Sequence, residues 1–207
     1  MITISPIKRV ASVTTLALSS LLSPMALFAQ NKVDSFEKEE VRLNVSTKGT
    51  SDEKLLLYAP SPKVTIAGEQ KLASIVVDLD KNVLYKYNEN GEPEIAYLVA
   101  SGKPSSPTNT GIKVVSHVET YPYKTAPLRT KRRRHPNDYG PNILILRNVD
   151  SKTGMTSSTG EFIHGNNNIS SLGKYASHGC IRMDNQVIKE LAKTIKSGDL
   201  VKIVRAK

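Results

Sequence analysis

Cysteine is almost absent from this 207-residue chain, which contains only Cys180. One cysteine cannot close an internal disulfide, so the small disulfide-stapled scaffolds common among secreted proteins are excluded. Cys-x-x-Cys and His-x-x-x-His pairs are absent as well. His164, His178 and Cys180 are the three side chains that could supply zinc ligands, but without these spacings we predict no metal site and no cofactor.

Acidic residues and large aromatic residues are also scarce. Lysine and arginine number 29 against 19 aspartate and glutamate, which gives a net charge of +10 and favours an anionic partner. We predict no nucleic-acid binding, because base stacking needs aromatic side chains and the chain has no tryptophan and only three phenylalanines. The basic run Arg129–Pro136 is interpreted as a solvated loop, with attachment to an anionic wall polymer, or a flap over an acidic substrate, as alternatives.

Long apolar runs are missing except at the N-terminus, where Lys8 and Arg9 precede the run Val10–Leu22 and small residues surround Ala29. This layout predicts a signal peptide over residues 1–29 and export to the periplasm or cell wall. The alternative is an uncleaved anchor over Val10–Ala29, and we expect membrane association only in that case. In an exported protein, a cysteine without a disulfide partner is a candidate for chemistry.

The rest of the chain divides into two parts of different composition. Residues 30–71 are mostly polar and contain Pro60 and Pro62, so they are interpreted as a linker or a loosely attached segment with one apolar patch, Leu55–Tyr58. Residues 72–205 form the predicted domain. Its β-branched runs and turn residues predict strands at Ser74–Leu79, Val83–Tyr87, Ile95–Ala100, Asn142–Arg147 and Asp199–Val204, the first two as a hairpin.

One helix is predicted directly after the cysteine. Asp184 can cap it, the apolar positions from Val187 to Ile195 repeat with a helical period, and Ser197-Gly198 can end it. Residues 101–116 and 125–141 are rich in proline, glycine and polar residues and are predicted as loops. The expected fold is mainly β, a β-rich α+β domain with one or two short helices.

The stretch "KYASHGCIRMDN" around Cys180 suggests an activated thiol. A thiol attacks as thiolate and needs a lowered pKa or a nearby base. Gly179 permits a sharp turn, and His164 and His178 are the available imidazoles. His178 lies two residues away and projects roughly parallel to Cys180, whereas His164 can face the thiol from a neighbouring strand, so His164 is the better base. The alternative is an inert, buried cysteine.

The stretch "IHGNNNISSLGKYASHGCIRM" resembles the motif of the L,D-transpeptidase catalytic domain family (YkuD-like). The upstream loop "SGKPSSPTNTGIKVVS" is similar to that family's Gly-Lys-Pro loop, although Asn109 stands where proline is common and Ile112 where a small polar residue is frequent. "NDYGPNILIL" is similar to the strand that precedes the family's site. The resemblance covers residues 72–205 and implies an L,D-transpeptidase-like β-sandwich.

The resemblance also implies roles for individual residues. Cys180 would attack a peptidoglycan stem peptide and form a thioester, with His164 as the acid and base and the Gly165 carbonyl orienting the imidazole. The N–H groups of Gly179 and Cys180 would form the oxyanion hole. Reaction of this thiol with carbapenem β-lactams is a further expectation.

Three more residues of the stretch belong to the predicted site. Ser177 and His178 are grouped with the orienting residues beside the thiol. Arg182 is predicted to bind a substrate carboxylate, which suits its planar fork, with a structural salt bridge to Asp184 as the alternative.

Several functions are compatible with these residues. The leading hypothesis is a peptidoglycan L,D-transpeptidase that forms 3→3 cross-links in cell-wall biogenesis, with donor and acceptor stem peptides as partners. The same cysteine site would support L,D-carboxypeptidase activity, D-amino-acid exchange or attachment of a protein to the wall. A hypothesis of another class is a non-catalytic wall-binding module that uses the basic surface.

Overall fold

The structure, a computed structural model, describes residues 53–124 and 139–205. The predicted signal peptide, most of the predicted linker and the basic run Arg129–Pro136 lie outside these residues. Within the described ranges, no helix has both the length and the apolar character needed to cross a membrane.

The described residues form a strand-rich domain, which confirms the predicted mainly β fold. The predicted hairpin and the three other predicted strands are present, and one amphipathic helix follows the cysteine. In chain order the elements are α1 (Glu53–Leu56), β1 (Lys63–Ile66), β2 (Glu69–Leu72), β3 (Ile75–Asp78), β4 (Val83–Tyr87), β5 (Pro93–Leu98), β6 (Ser101–Gly102), β7 (Gly111–Thr120), β8 (Asn142–Val149), β9 (Thr156–Asn166), a 3-10 turn (Ile169–Ser171), β10 (Tyr175–Ser177), β11 (Ile181–Asp184), α2 (Asn185–Thr194) and β12 (Leu200–Val204).

Eight of the strands form one mixed sheet in the order β11-β9-β8-β7-β12-β3-β4-β5. Only two of its neighbouring pairs, β11 with β9 and β12 with β3, are parallel. Strand β3 is buried on both faces: Val77 belongs to the central core, whereas Val76 belongs to a second core on the other side. This double burial explains why the strand reads as a continuous apolar run rather than as an alternating one.

The two ends of the sheet meet beside the cysteine. Ala100, just after β5, forms an antiparallel bridge with Arg182 of β11, with reciprocal N–H to O distances of 2.9 and 2.8 Å. The short strands β6 and β10 pair in parallel directly next to this bridge. Side chains from both ends, such as Tyr97 and Ile181, therefore pack in the same central core.

Helix α2 lies against this core as the sequence predicts. The Asp184 carboxylate accepts hydrogen bonds from the N–H groups of Gln186 at 2.7 Å and Val187 at 3.3 Å. Val187, Ile188 and Leu191 are buried on one face. The helix ends at Thr194, before the predicted Ser197-Gly198 stop, because Ile195 adopts an extended backbone that buries its side chain in the core.

Residues 55–71 lie in the part of the chain predicted to be a linker or a loosely attached segment, and three of their apolar side chains pack on the sheet. Leu55, Val64 and Ile66 are buried, at 7%, 5% and 7% exposure, in the second core against β3 and β4. The Ala73 N–H donates to the Pro62 carbonyl at 2.9 Å, which ties the segment to the start of β3. Val64 and Ile66 are apolar positions within a short alternating strand, a pattern that the surrounding polar residues and prolines obscured.

A second difference is the extent of the predicted loop 101–116. Its last part, from Gly111 onward, belongs to β7, the ten-residue strand that pairs with both β12 and β8. Lys113 and Val115 are buried at alternate positions of this strand. The strand was not predicted because Lys113, a charged side chain at an inward position, breaks the expected apolar alternation.

The capping role of Asp184 makes a first prediction. We expect Asp184→Ala to lower the free energy of unfolding by about 1 kcal/mol, because two N–H groups of the first turn lose their acceptor. Urea unfolding followed by circular dichroism measures this change. Glu190→Ala is the control: it removes a carboxylate of the same helix that makes only an exposed pair with Lys193, and it should cost at most about 0.5 kcal/mol. Equal losses in the two variants would contradict the capping role.

Candidate active site

The register of β9 and β11 sets His164 and Arg182 on one face of the sheet, next to the predicted nucleophile. Ile181 lies beside Ile163 and Arg182 beside His164. Alternate residues of a strand point to opposite faces, and both isoleucines face the central core. His164 and Arg182 therefore lie on the other face. Cys180 lies directly before β11.

Cys180 packs at the edge of a small aromatic cluster on this face. The cluster consists of Tyr139, Ile143 and Phe162, with Cys180 half-buried against it. The Tyr139 ring meets the His164 ring edge-on, with centroids 4.8 Å apart. The cluster against which Cys180 packs therefore also borders the His164 ring, and Cys180 is partly exposed.

His164 is held in one orientation. Its ring is buried, at 3% exposure, and Nδ1 lies 2.7 Å from the Gly165 carbonyl oxygen. A carbonyl can only accept, so this hydrogen bond assigns the proton of the neutral ring to Nδ1 and leaves Nε2 with a lone pair. Gly165 must be glycine here, because a Cβ at this position would clash with the Asn185 side chain and approach Gly140 closely.

The environment of His164 favours the neutral imidazole. Burial lowers the pKa of His164 to about 4, and the positive charge of Arg182 acts in the same direction. The hydrogen bond to Gly165 opposes this effect but does not outweigh it. At neutral pH the ring is therefore uncharged and can accept a proton at Nε2.

The turn before Cys180 is closed by Ser177, whose side chain is buried. Its hydroxyl donates to the Cys180 carbonyl at 2.5 Å and accepts from the Gly179 N–H at 3.1 Å. Gly179 has a φ of 112°, a backbone conformation that favours glycine. The Gly179 N–H, predicted for the oxyanion hole, is therefore engaged with Ser177 in this conformation.

Arg182 and His178 occupy different surroundings. Arg182 is half-buried, and its guanidinium donates to the Ala176 carbonyl at 3.4 Å. Asp184, the alternative partner weighed for Arg182, instead caps α2. His178 is exposed, and so is His117 of β7.

Three residues that sequence reasoning did not single out contact this region. The Thr108 hydroxyl donates to the Gly179 carbonyl at 2.8 Å and accepts from the Gly102 N–H at 2.9 Å. Glu161 and Lys113 form a buried ion pair beneath the same loop. In the sequence, each strand has a charged residue where an apolar one is expected. Glu161 stands three residues before His164 in β9, and Lys113 stands two residues before Val115 in β7.

An aromatic wall continues from His164 toward the surface. Tyr139 also meets Tyr123 edge-on at 6.0 Å, and Tyr123 meets Tyr121 at 5.6 Å. Tyr121 is 38% exposed. Among residues 53–124 and 139–205, no group of three or more His, Cys, Asp or Glu is arranged to hold a metal ion.

Comparison with known proteins identifies the family of the chain. The family model of the L,D-transpeptidase catalytic domain, YkuD, matches residues 73–203. A Bacillus licheniformis protein named "Putative L,D-transpeptidase YkuD" is 35% identical over 94 residues. That match covers 42% of this chain and 53% of the relative, so the aligned part spans about half of the relative's length.

Solved structures with a similar arrangement include an L,D-transpeptidase from Mycobacterium tuberculosis, at 15% identity and a TM-score of 0.47, covering 70% of this chain and 67% of that one. Bd1075 from Bdellovibrio bacteriovorus is similar at 23% identity and a TM-score of 0.48, covering 76% of this chain and 51% of that one. The family match extends over more than half of the chain. The protein therefore belongs to the YkuD family of L,D-transpeptidase catalytic domains.

Proposed function

We propose that this protein is an exported peptidoglycan L,D-transpeptidase that forms 3→3 cross-links through a cysteine thioester. The observation that supports the proposal is a buried, neutral His164 whose ring meets Tyr139, a member of the cluster against which Cys180 packs. Family membership supports the reaction class. Export is inferred from the signal-like residues 1–29.

The first half-reaction begins with a proton transfer. His164 Nε2 takes the thiol proton of Cys180 while Sγ attacks the carbonyl carbon that precedes the terminal D-alanine of a tetrapeptide donor. The tetrahedral intermediate collapses as the C–N bond breaks, and His164 returns the proton to the leaving amine. The products are a thioester on Cys180 and free D-alanine.

Charge develops on the attacked carbonyl oxygen during this step. The N–H groups of Gly179 and Cys180 would stabilise it, and the Gly179 N–H would then be shared between the oxyanion and Ser177. Arg182, whose head group lies on the same face as His164, would bind a carboxylate of the stem peptide. Ser177 and Gly165 would act as orienting groups, and the exposed His178 would line the site beside the thiol.

The second half-reaction resolves the thioester. The side-chain amine of a second stem peptide attacks the acyl carbon, His164 accepts the amine proton, and the C–S bond breaks. The thiolate is reprotonated from His164, and the new amide is the 3→3 cross-link. Water in place of the amine gives an L,D-carboxypeptidase, and a D-amino acid gives exchange, with the same residues in the same roles.

The basic composition suits a substrate that lies within an anionic envelope. Electrostatic contact with wall polymer would add to catalysis rather than replace it. A non-catalytic wall-binding module is disfavoured, because such a module has no need for an oriented, neutral histidine beside its cysteine.

A tetrapeptide assay tests the proposed reaction. We expect the purified protein to convert disaccharide-tetrapeptide fragments to cross-linked dimers with release of D-alanine, because acylation and amine attack both proceed at Cys180. Mass spectrometry distinguishes the dimer from a trimmed tripeptide. Cys180→Ala should abolish both products while retaining the same far-ultraviolet circular dichroism spectrum.

The outcomes of that assay separate the alternatives. Tripeptide without dimer would replace transpeptidation by hydrolysis. Absence of both products with a reduced Cys180, together with binding to sacculi that is unchanged in Cys180→Ala and fades with salt, would instead support the wall-binding module.

The pH dependence of kcat/KM tests the base. The pKa of His164 is lowered to about 4 by burial, so the neutral base form persists as pH falls from 7 and is lost only as pH passes through about 4. We therefore expect the acid limb of kcat/KM to be centred near 4 rather than near 6.5, the ordinary value for histidine.

Two variants serve as references for this profile. His164→Gln should lose activity by a factor of about 100 or more at every pH, because general base catalysis contributes about that much. His117→Gln changes an exposed histidine of β7 outside the predicted site and should keep both the rate and the acid limb. A limb near 6.5 that disappears in His178→Gln would reverse the assignment.

A further inference from the structure

A buried ion pair lies under the loop that faces the cysteine turn. Lys113 of β7 and Glu161 of β9 are only 1% and 5% exposed, and Lys113 Nζ lies 3.1 Å from Glu161 Oε2. Removing two charges from water costs free energy that their mutual attraction only partly restores. Stability alone is therefore a weak reason for this pair, and its other contacts indicate a second role.

The Glu161 carboxylate accepts three donors. Besides Lys113, it accepts the Asn109 N–H at 2.7 Å through Oε1 and the Thr159 hydroxyl at 2.9 Å through Oε2. Lys113 Nζ also donates to Asn148 Oδ1, which fixes the ammonium between neighbouring strands. The carboxylate is thus held firmly, and its Oε1 atom is aimed at the backbone of the loop 101–110.

The loop 101–110 connects the Glu161 carboxylate to Gly179, the residue before Cys180. Thr108 directly precedes Asn109, and its hydroxyl donates to the Gly179 carbonyl at 2.8 Å. The same hydroxyl accepts from the Gly102 N–H at 2.9 Å, so its donor direction is fixed. A Cβ placed on Gly179 would lie 3.9 Å from Glu161 Oε1, which shows how closely the turn approaches the carboxylate.

The Gly179 carbonyl and the Cys180 N–H belong to one peptide plane. Because the peptide unit is planar and trans, a hydrogen bond that fixes the direction of the carbonyl also fixes the opposite direction of the N–H. A hydrogen bond to the carbonyl also polarises the amide and strengthens its N–H as a donor. Thr108 therefore controls the orientation of the donor that the oxyanion needs.

We propose that Glu161 is a positioning residue for catalysis: supported by Lys113, it holds Thr108 against the Gly179 carbonyl and so preorients the Cys180 N–H toward the substrate oxyanion. This inference rests on the proposed function. Glu161 contacts neither thiol nor substrate in this scheme, and it acts through the loop. An oxyanion donor must be preorganised to be effective, since reorientation during the reaction costs part of its benefit.

Three variants test the contacts that run from Glu161 through Thr108 to Gly179, which we call the relay. Thr108→Val replaces the bridging hydroxyl by a methyl group of similar size. The double variant Glu161→Leu with Lys113→Met, the Leu/Met pair, removes the acceptor and both charges together, which avoids leaving one buried charge unpaired. The double variant Glu161→Gln with Lys113→Met, the Gln/Met pair, removes the charges but keeps an amide oxygen that can accept from the Asn109 N–H.

Two rates are measured for each variant: kcat on the tetrapeptide donor, and alkylation of Cys180 by iodoacetamide across pH. Alkylation forms no oxyanion, so it reports thiol activation alone. We expect Thr108→Val and the Leu/Met pair to lower kcat by about 10-fold or more, with KM and the alkylation profile unchanged. The Gln/Met pair should stay within about threefold of the wild-type kcat.

A double-mutant cycle provides the decisive readout. Thr108→Val added to the Leu/Met pair should lower kcat little further, because both changes interrupt the same relay. The control exchanges a pair outside the relay, Lys86→Met with Glu94→Gln on β4 and β5, and should leave both rates unchanged. If the Leu/Met pair does not fold, Thr108→Val and the Gln/Met pair still carry the test.

The outcomes distinguish this inference from the proposed function. Wild-type kcat in Thr108→Val, independent effects in the cycle, or alkylation that falls in parallel with kcat would overturn the positioning role while leaving the reaction intact. A wild-type protein that alkylates normally but releases no D-alanine would instead overturn the proposed function and, with it, this inference.

Discussion

The pairing of β11 with the strands around it is the constraint on which the rest of the site depends. On one side, β11 runs parallel to β9 and sets Arg182 beside His164. On the other side, the Arg182 backbone exchanges two hydrogen bonds with Ala100, which joins the two ends of the eight-stranded sheet. A shift of β11 by one residue would turn the active-site face into the core face, where Ile181 and Met183 now pack.

Electrostatics at the site follow from this closed arrangement. Burial keeps His164 neutral, whereas the same strand buries the Glu161 carboxylate against Lys113 and two further donors, the Asn109 N–H and the Thr159 hydroxyl. The two environments serve different tasks in our account. The neutral ring moves a proton, and the ion pair holds the loop that orients the Cys180 peptide.

Sequence reasoning succeeded where a single local pattern determined the structure. The β3–β4 hairpin and the Asp184 cap each depend on residues within a few positions, and the structure contains both. The Gly165 hydrogen bond to His164, implied by the family resemblance, is also present. The packing of residues 55–71 was not predicted, because their few apolar side chains become meaningful only against the sheet. The Lys113–Glu161 pair was missed for a related reason: the two residues are 48 positions apart and meet only through the paired strands β7, β8 and β9.

The central proposal is that Cys180 is an activated nucleophile and that the buried, neutral His164 is its base. Intact-mass measurement after brief exposure to a carbapenem tests it most directly, since a thioester adduct adds the mass of one β-lactam. We expect one adduct on the wild type, none on Cys180→Ala, and slow formation on His164→Gln. An adduct on Cys180→Ala, or formation at the wild-type rate on His164→Gln, would contradict the account.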